Sequence, residues 1–143
     1  MKETKINPHS AGQDSAHTPY QGSAKEFDGS VTLQRLVTAE DSSQVELLAV
    51  WFSAGARTHA HTHDVDQVLH IVEGQGIVAD EHETRLVSAG DVVTVPAHVW
   101  HWHGATPDSA MMHISIRKQG SKTDWDVDPK NWARGYDNWK AHK

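Results

Sequence analysis

Short apolar runs separated by turn residues constrain the fold of this chain more than any other feature of its sequence. Between Val31 and Arg117 there are about eight runs rich in β-branched residues, each bounded by residues that favour turns. Runs this short are typical of strands, because a helix needs a longer stretch with a period of 3.6 residues. The spacing predicts an all-β domain, built either as a closed barrel or as a sandwich of two sheets.

The two ends of the chain differ in composition from this central region. Residues 1–26 are rich in Ser, Gly, Gln, Lys and Pro, which predicts a flexible N-terminal arm. Residues 27–120 are predicted to form the β-domain and residues 121–143 a tail. The pair Asp128-Pro129 is typical of a helix start. A short C-terminal helix would then place three aromatic residues on one face, packed on the barrel or on a second subunit: Trp132, Tyr136 and Trp139.

The composition excludes several classes of protein. None of the 143 residues is cysteine, so disulfides, thiolate catalysis and thiolate metal sites are excluded. The formal net charge of −6 and the lack of a basic stripe argue against binding to nucleic acid. No run of about 18 apolar residues is available to span a membrane. The N-terminal residues lack the apolar segment of a secretory signal, which favours a cytoplasmic location.

Histidine is unusually frequent, with 12 residues in the chain. His61 and His63 are one residue apart on an extended segment, so their side chains point to the same side. Gln67 follows four residues later and can supply an amide oxygen on that side. One more imidazole from a distant strand would complete a metal site with nitrogen and oxygen ligands. His59 is an alternative first ligand, and Asp66 is an alternative to Gln67.

Two glycine-bounded segments resemble the two sequence motifs of the cupin family. The first runs from Gly55 to Gly74 and the second from Gly90 to Gly104, and the spacing of their histidines, Pro96 and glycines fits both motifs. The resemblance implies a double-stranded β-helix, a jelly-roll barrel. The chain departs from the usual pattern in carrying glutamine at position 67 where most cupins have glutamate. It also has histidine at position 98 where glycine is usual, and it lacks the asparagine expected after the last histidine of the second motif.

A narrower likeness rests on Gln67, on the sequence His101-Trp-His103 and on Met112-His113. These residues resemble the small single-domain bacterial cupins that include the manganese-dependent hydroxynitrile lyases. Carried over by position, the resemblance implies four metal ligands: His61, His63, Gln67 and His101. It also implies that His103 and His113 face the same cavity without necessarily binding the metal.

Three imidazoles and one amide oxygen form a donor set that suits Mn, Fe, Ni, Zn or Cu. We expect one divalent transition metal per chain, and the resemblance favours manganese. Because glutamine is neutral where glutamate is charged, the site keeps more positive charge and should favour anionic ligands. Four protein ligands on an octahedral ion would leave two positions open, which is typical of a catalytic site.

Strand alternation suggests which residues act beside the metal. His103 lies about 7 Å from His101 along the same face of a strand and is a candidate general acid or base. His113 and Arg117 share a face of the last strand, where Arg117 would bind a substrate carboxylate. The apolar wall is expected from one face of an earlier strand, with Trp51 turned the other way: Leu48, Val50 and Phe52.

These features favour an enzyme over other classes of protein. The leading hypothesis is a mononuclear metal cupin that acts on a small oxygenated or carboxylate-bearing molecule by lyase chemistry, such as cyanohydrin cleavage. A metal-dependent dioxygenase would use the same open positions. The third hypothesis is a non-catalytic metal-bound protein that binds a small ligand, since a fold does not determine a function. A barrel of this size has exposed strand edges, so we expect a homodimer or homotetramer, with the arm and tail as exchange elements.

Overall fold

The computed structural model describes residues 1–9, 16–137 and 139. These residues form an all-β structure, as predicted, with twelve strands and one 3-10 turn. The strands are β1 Tyr20–Gln21, β2 Phe27–Asp28, β3 Val31–Val37, β4 Val45–Phe52, β5 Arg57–Thr58, β6 Thr62–His63, β7 Gln67–Asp80, β8 Thr84–Ser88, β9 Val92–Val95, β10 His101–Ala105, β11 Met111–Lys118 and β12 Thr123–Asp124.

The long strand β7 belongs to both faces of the barrel. Its first half pairs with β11 and β9, and its second half pairs with β10 and β8. Strands β1, β3 and β4 extend the first face from β11, while β5 and β2 extend the second face from β10. All these pairs are antiparallel, and the sheet curls into the predicted jelly-roll barrel. The curl brings β10 and β11, which carry the candidate catalytic histidines, to opposite walls of one interior.

Gly74 lies where β7 passes from one face to the other. Its φ of 75° is in the left-handed region, and a Cβ atom there would collide with the carbonyl oxygen of Ala110. A side chain at position 74 is therefore opposed by both backbone strain and direct contact with the chain before β11. The glycine that the sequence places at the end of the first motif is required by the bend.

The main core lies between the two faces and is mostly aliphatic and aromatic. It includes buried side chains from both faces: Leu33, Val50, Phe52, Leu69, Ile71, Val78, Val95 and Met111. A second cluster lies outside the barrel, where Trp132, Tyr136 and Trp139 pack against Trp100 and Trp102. The predicted packing of the tail aromatics on the barrel is confirmed.

The short helix predicted in the tail is a single 3-10 turn, Trp132–Arg134. It begins after Asn131, so Asp128 is not its N-cap as predicted. A Cβ atom at Gly135 would lie 2.5 Å from Cζ2 of Trp102 and 2.7 Å from Nη1 of Arg57. The tail lies this close to the barrel because its aromatic side chains pack against tryptophans at β10. This packing outweighs the local preference for a helix. Residues 138 and 140–143 lie outside the described residues.

The barrel begins earlier than the boundary predicted at residue 27. Tyr20–Gln21 form β1 and pair with Leu33 and Thr32 of β3. Further back, the wholly buried Gln34 accepts a hydrogen bond from the backbone N–H of Asn7 and donates one to the carbonyl of Lys5. The described parts of the predicted arm therefore lie along β3, and residues 10–15 of that arm are outside the described range. None of the helical segments in the described residues has the length and apolar character to cross a membrane.

We predict that Gly74→Ala destabilises the protein more than Gly90→Ala does. Both glycines have positive φ values, but a Cβ atom at Gly90 would meet nothing within 4 Å. The control substitution should lower the free energy of unfolding by about 1–2 kcal/mol through backbone strain alone. The substitution at Gly74 should lower it by about a further 1–3 kcal/mol, because the chain at Ala110 must move. Denaturant unfolding of both variants measures the difference, and equal losses would contradict the role given to Ala110.

Candidate metal centre

Three histidines from separate parts of the chain meet inside the barrel. His63 lies in β6 and His101 begins β10, while His61 and His101 exchange backbone hydrogen bonds of 3.0 and 3.1 Å. This backbone pairing holds the two segments in register. One ring nitrogen of each histidine lies within 4.8 Å of the others, and all three side chains are buried. The structure thus brings together the three imidazoles that the sequence predicted as ligands.

Backbone carbonyl groups set the orientation of two of these rings. Nδ1 of His61 lies 2.8 Å from the carbonyl of His59, and Nδ1 of His101 lies 2.9 Å from the carbonyl of Val99. A carbonyl oxygen accepts hydrogen bonds only, so each Nδ1 carries the proton and donates it. Each Nε2 atom is left with its lone pair, which is the form of imidazole that binds a metal.

The amide of Gln67 completes the set of donor atoms. Its Oε1 lies 3.0 Å from Nε2 of His101 and 3.2 Å from Nε2 of His63. Its nitrogen donates to Oγ of Ser115 at 2.8 Å, which turns the oxygen towards the histidines. Since Nε2 of His101 carries a lone pair, two acceptor atoms face each other at this distance and would repel without a cation between them. The residues present therefore fit a divalent metal with three nitrogen donors and one oxygen donor.

Burial keeps the three imidazoles neutral, which is the charge state that metal binding requires. Desolvation lowers the pKa of His63 to about 3, assisted by the nearby positive charge of Arg117. It lowers the pKa of His101 to about 4 and that of His61 well below its ordinary value. Protons therefore do not compete with a metal for these rings near neutral pH.

Arg117 borders the cavity as predicted, but its guanidinium group is already engaged. Nη2 pairs with Oε1 of Glu46 at 2.8 Å, and Nη1 donates to Oγ1 of Thr123 at 2.8 Å. Nη1 also lies 2.7 Å from Nδ1 of His63, and Thr123 lies 2.9 Å from the same atom. These contacts make Arg117 and Thr123 positioning residues for His63. The binding of a substrate carboxylate by Arg117 stays a prediction.

His103 and His113 form a pair deeper in the cavity. Nε2 of His113 lies 3.0 Å from Nδ1 of His103, so one proton is shared between the two rings. Nε2 of His103 and Nδ1 of His113 are buried and have no hydrogen-bond partner among the described residues. Burial lowers the pKa of His113 to about 4 and that of His103 well below its ordinary value. Both rings are therefore neutral near pH 7.

The alternative ligands considered from the sequence lie elsewhere. The ring of His59 packs against that of Trp132 with centroids 4.5 Å apart, and its Nε2 lies 3.1 Å from the carbonyl of Ala24. Asp66 is exposed and accepts a hydrogen bond from the backbone N–H of Ala97. Neither residue belongs to the cluster that could hold a metal ion.

The metal cluster opens into a cavity of about 400 Å³. Its apolar wall includes the three residues predicted from strand β4: Leu48, Val50 and Phe52. Trp51 points outward into a separate cluster on the outer surface of the barrel, which also agrees with the alternation. The cavity is thus lined by both histidine side chains and an apolar wall.

The sequence patterns did not predict that Thr123 and Trp125 lie at the site. Both lie in the segment after β11, where β12 pairs with β6 in the register Thr123↔His63. The ring of Trp125 packs on that of His61 with centroids 4.4 Å apart. No local signal marks these residues, because a two-residue strand pair between distant segments leaves no periodic pattern.

The fold and the site together define a jelly-roll barrel with a buried centre of three imidazoles and one amide. The family model described as Cupin domain matches residues 48–117. The chain is 37% identical over 108 residues to an (R)-mandelonitrile lyase of Granulicella tundricola, which covers 73% of this chain and 82% of the relative. This chain belongs to the cupin family.

Two further similarities extend the comparison. The chain is 35% identical over 66 residues to an acireductone dioxygenase of Klebsiella pneumoniae subsp. pneumoniae, covering 42% of this chain and 37% of that relative. Among solved structures, a cupin-like protein from Thermotoga maritima has a TM-score of 0.74 and 35% identity. That match covers 81% of this chain and 89% of the other chain. It supports the fold and family together.

We predict that His101→Ala abolishes metal retention. Protein purified without chelators or metal-affinity resin should carry about one divalent ion per chain, as expected of four preoriented donors. His101→Ala should fall below about a tenth of that content, since one of the three imidazole donors is lost together with its contact to Gln67. His70→Ala is the matched control, because His70 is exposed on β7. Elemental analysis measures the content, and a metal-free wild type that takes up no added ion would contradict the site.

We predict that acid destabilises the metal-free protein through its buried histidines. Their pKa values are lower when folded than the ordinary value near 6.5, so the unfolded chain binds more protons below that pH. Their contribution to stability is complete above about pH 6.5 and is lost as the pH falls towards about 4.

The substitution His113→Gln should reduce this dependence on pH. Each such histidine contributes a slope of up to about 1.4 kcal/mol per pH unit, and the variant lacks one of them. Urea unfolding of the metal-free variants at several pH values measures the slopes, with His70→Gln as the control. A slope unchanged by His113→Gln would contradict the assignment.

Proposed function

We propose that this protein is a mononuclear divalent-metal lyase that cleaves a carbon–carbon bond in a small hydroxylated molecule of the cyanohydrin type. The observation that carries the proposal is the unpartnered Nε2 atom of His103, which is buried beside the three-imidazole centre. An enzyme needs such a group to move a proton next to a bound substrate. The similarity to a relative named (R)-mandelonitrile lyase supports this class of reaction.

The donor set decides how a metal would be held. His61, His63, Gln67 and His101 would bind it, and the bound ion would act as a Lewis acid towards a polar group of the substrate. We propose manganese, while iron, nickel, zinc and copper also suit three imidazoles and an amide. The neutral amide of Gln67 leaves the positive charge of a divalent ion undiminished, which favours a negatively charged group at the site.

The pair of His103 and His113 can hold a proton in either of two arrangements. When Nδ1 of His103 donates to Nε2 of His113, Nε2 of His103 has a lone pair and is a base. When the shared proton resides on Nε2 of His113, the outer Nε2 of His103 carries a proton and is an acid. The low pKa values, caused by burial, keep both rings neutral and available for either arrangement.

This arrangement accounts for both proton transfers of cyanohydrin cleavage. Nε2 of His103 accepts the hydroxyl proton, the C–O bond becomes a carbonyl, and the carbon–carbon bond breaks with its electron pair leaving on cyanide. The same nitrogen then returns the proton to cyanide, so the products are an aldehyde or ketone and hydrogen cyanide. His113 stabilises the protonated ring of His103 by accepting its Nδ1–H hydrogen bond during the step.

A metal-dependent dioxygenase is the second candidate. It is favoured by the match to an acireductone dioxygenase, although that match spans less than half of either chain. The same three imidazoles would serve a redox-active metal. Oxygen consumption separates this candidate from the lyase, because cyanohydrin cleavage consumes no oxygen.

We predict that the metal-loaded wild type releases benzaldehyde from mandelonitrile and that His103→Gln does not. The loss in kcat should be about 100-fold or more, as expected for removal of a general base. Metal content should stay at the wild-type level, because His103 is not among the residues of the metal cluster. His70→Gln is the control. Benzaldehyde release by ultraviolet absorbance measures the rate, and a fully active His103→Gln would contradict the assigned base.

A further inference from the structure

The segment that follows β11 crosses back over two of the metal-binding histidines. Its strand β12 pairs with β6, and Lys122 and Asp64 exchange hydrogen bonds of 2.9 and 3.2 Å beside that pair. This two-stranded pairing is separate from the sheet that forms the barrel. Thr123 and Trp125 line the cavity, so this segment forms part of the cavity wall and is held there by its pairing with the strand that carries His63.

Trp125 is the large side chain that this segment adds to the cavity. Its ring lies on His61, with centroids 4.4 Å apart and planes at 41°, and near Phe27, with centroids 6.5 Å apart. The ring borders the cavity and is partly exposed. The ring therefore lies between a candidate metal ligand and a residue of the apolar wall.

The indole N–H of Trp125 is not used by the fold. Two other tryptophans in the described residues donate to backbone carbonyls, Trp100 to Asp128 and Trp132 to Thr58. The indole nitrogen of Trp125 donates no hydrogen bond to any residue in the described part of the chain. An indole that lines a cavity and offers both an apolar face and an N–H donor is suited to contact a ligand.

The lining of the cavity indicates how a ligand would lie against this ring. The lining combines buried histidines with an apolar wall that contains Phe27, Leu33, Val50 and Phe52. A molecule with a polar head and an apolar body would direct its head to the histidines. Its body would then extend between that wall and Trp125.

We propose that Trp125 is the specificity-determining residue of this cavity: it covers the apolar body of the substrate and selects ligands by the size of that body. The proposal rests on the proposed function for the reaction at the histidines, but it concerns a different part of the ligand. Removal of the indole opens the cavity to water on one side. The binding of large apolar bodies then loses its contact surface, while the binding of the head group is retained.

The test compares two carboxylate probes that share a head group and differ in body. Calorimetric titration of the metal-loaded wild type with benzoate and with acetate gives the preference for the larger body. We expect benzoate to bind about tenfold or more tightly, as is typical of an apolar pocket that accommodates several additional carbons. In Trp125→Ala this preference should fall to within about threefold, with acetate affinity and metal content unchanged.

Trp51→Ala is the matched control, because Trp51 is a partly buried tryptophan in the cluster on the outer surface of the barrel. It should retain the preference for benzoate. Trp125→Phe should retain part of it, and this conservative variant preserves a ring on His61 in case the alanine variant fails to fold. A wild type that binds both probes equally, or binds neither, would overturn the proposal. A Trp125→Ala protein that keeps the full preference for benzoate would also overturn it. If the alanine variant does not fold, a Trp125→Phe protein with the full preference would have the same meaning.

The outcome is separable from that of the proposed function. Cyanohydrin cleavage by wild type tests the chemistry at His103, whereas the ratio of benzoate to acetate affinity tests the contact between Trp125 and an apolar body. A protein that cleaves no cyanohydrin but loses its benzoate preference in Trp125→Ala would contradict the lyase and support the role of Trp125. Cleavage of mandelonitrile at the wild-type rate by Trp125→Ala would contradict Trp125 as a contact of that substrate.

Discussion

The passage of β7 from one face of the barrel to the other is the constraint on which the rest of the structure depends. Gln67 begins this strand inside the metal cluster, and the same strand pairs with β11 before its bend and with β10 after it. His103 on β10 and His113 on β11 therefore approach within hydrogen-bond distance across the interior. A straight strand would hold those two residues on one continuous sheet, and Gly74 is the position at which the chain can bend without a clash.

The interior of this barrel combines an apolar core with five buried histidines. Desolvation keeps these rings neutral, which suits metal binding but has two unfavourable consequences. The lone pair on Nε2 of His101 faces the amide oxygen of Gln67, and buried nitrogen atoms of His103 and His113 have no hydrogen-bond partner in the described part of the chain. A bound cation would relieve the first of these unfavourable arrangements, so metal binding would stabilise the fold. The polar atoms of His103 and His113 that stay unpartnered then mark where a substrate group is expected.

Much of the site could be predicted because strand periodicity is local. Residues two apart share a face, so His61 with His63 and His101 with His103 could be grouped from the sequence, and the outward direction of Trp51 followed from the same rule. The contacts of Arg117 could not be found this way. Its partner Glu46 lies opposite it through the register of β4 and β11, and register depends on the whole sheet. In the tail, a local pattern gave a wrong prediction. Asp128 indicated the start of a helix, but the aromatic side chains of the tail pack on Trp102 and the chain forms only a 3-10 turn after Asn131.

The amino-acid sequence by itself determined the all-β class, the family, the three imidazoles and the amide that would hold a metal. These features depend on residue type and on spacings within single strands or turns. Only the tertiary structure decided that His103 and His113 share a proton, that Thr123 and Arg117 hold His63, and that Trp125 lies on His61. Each of these contacts joins segments that are distant in the chain, and their meeting depends on the curl of the sheet and the pairing of β12 with β6. Spacing along the chain carries no information on such distances, whereas a closed barrel fixes them.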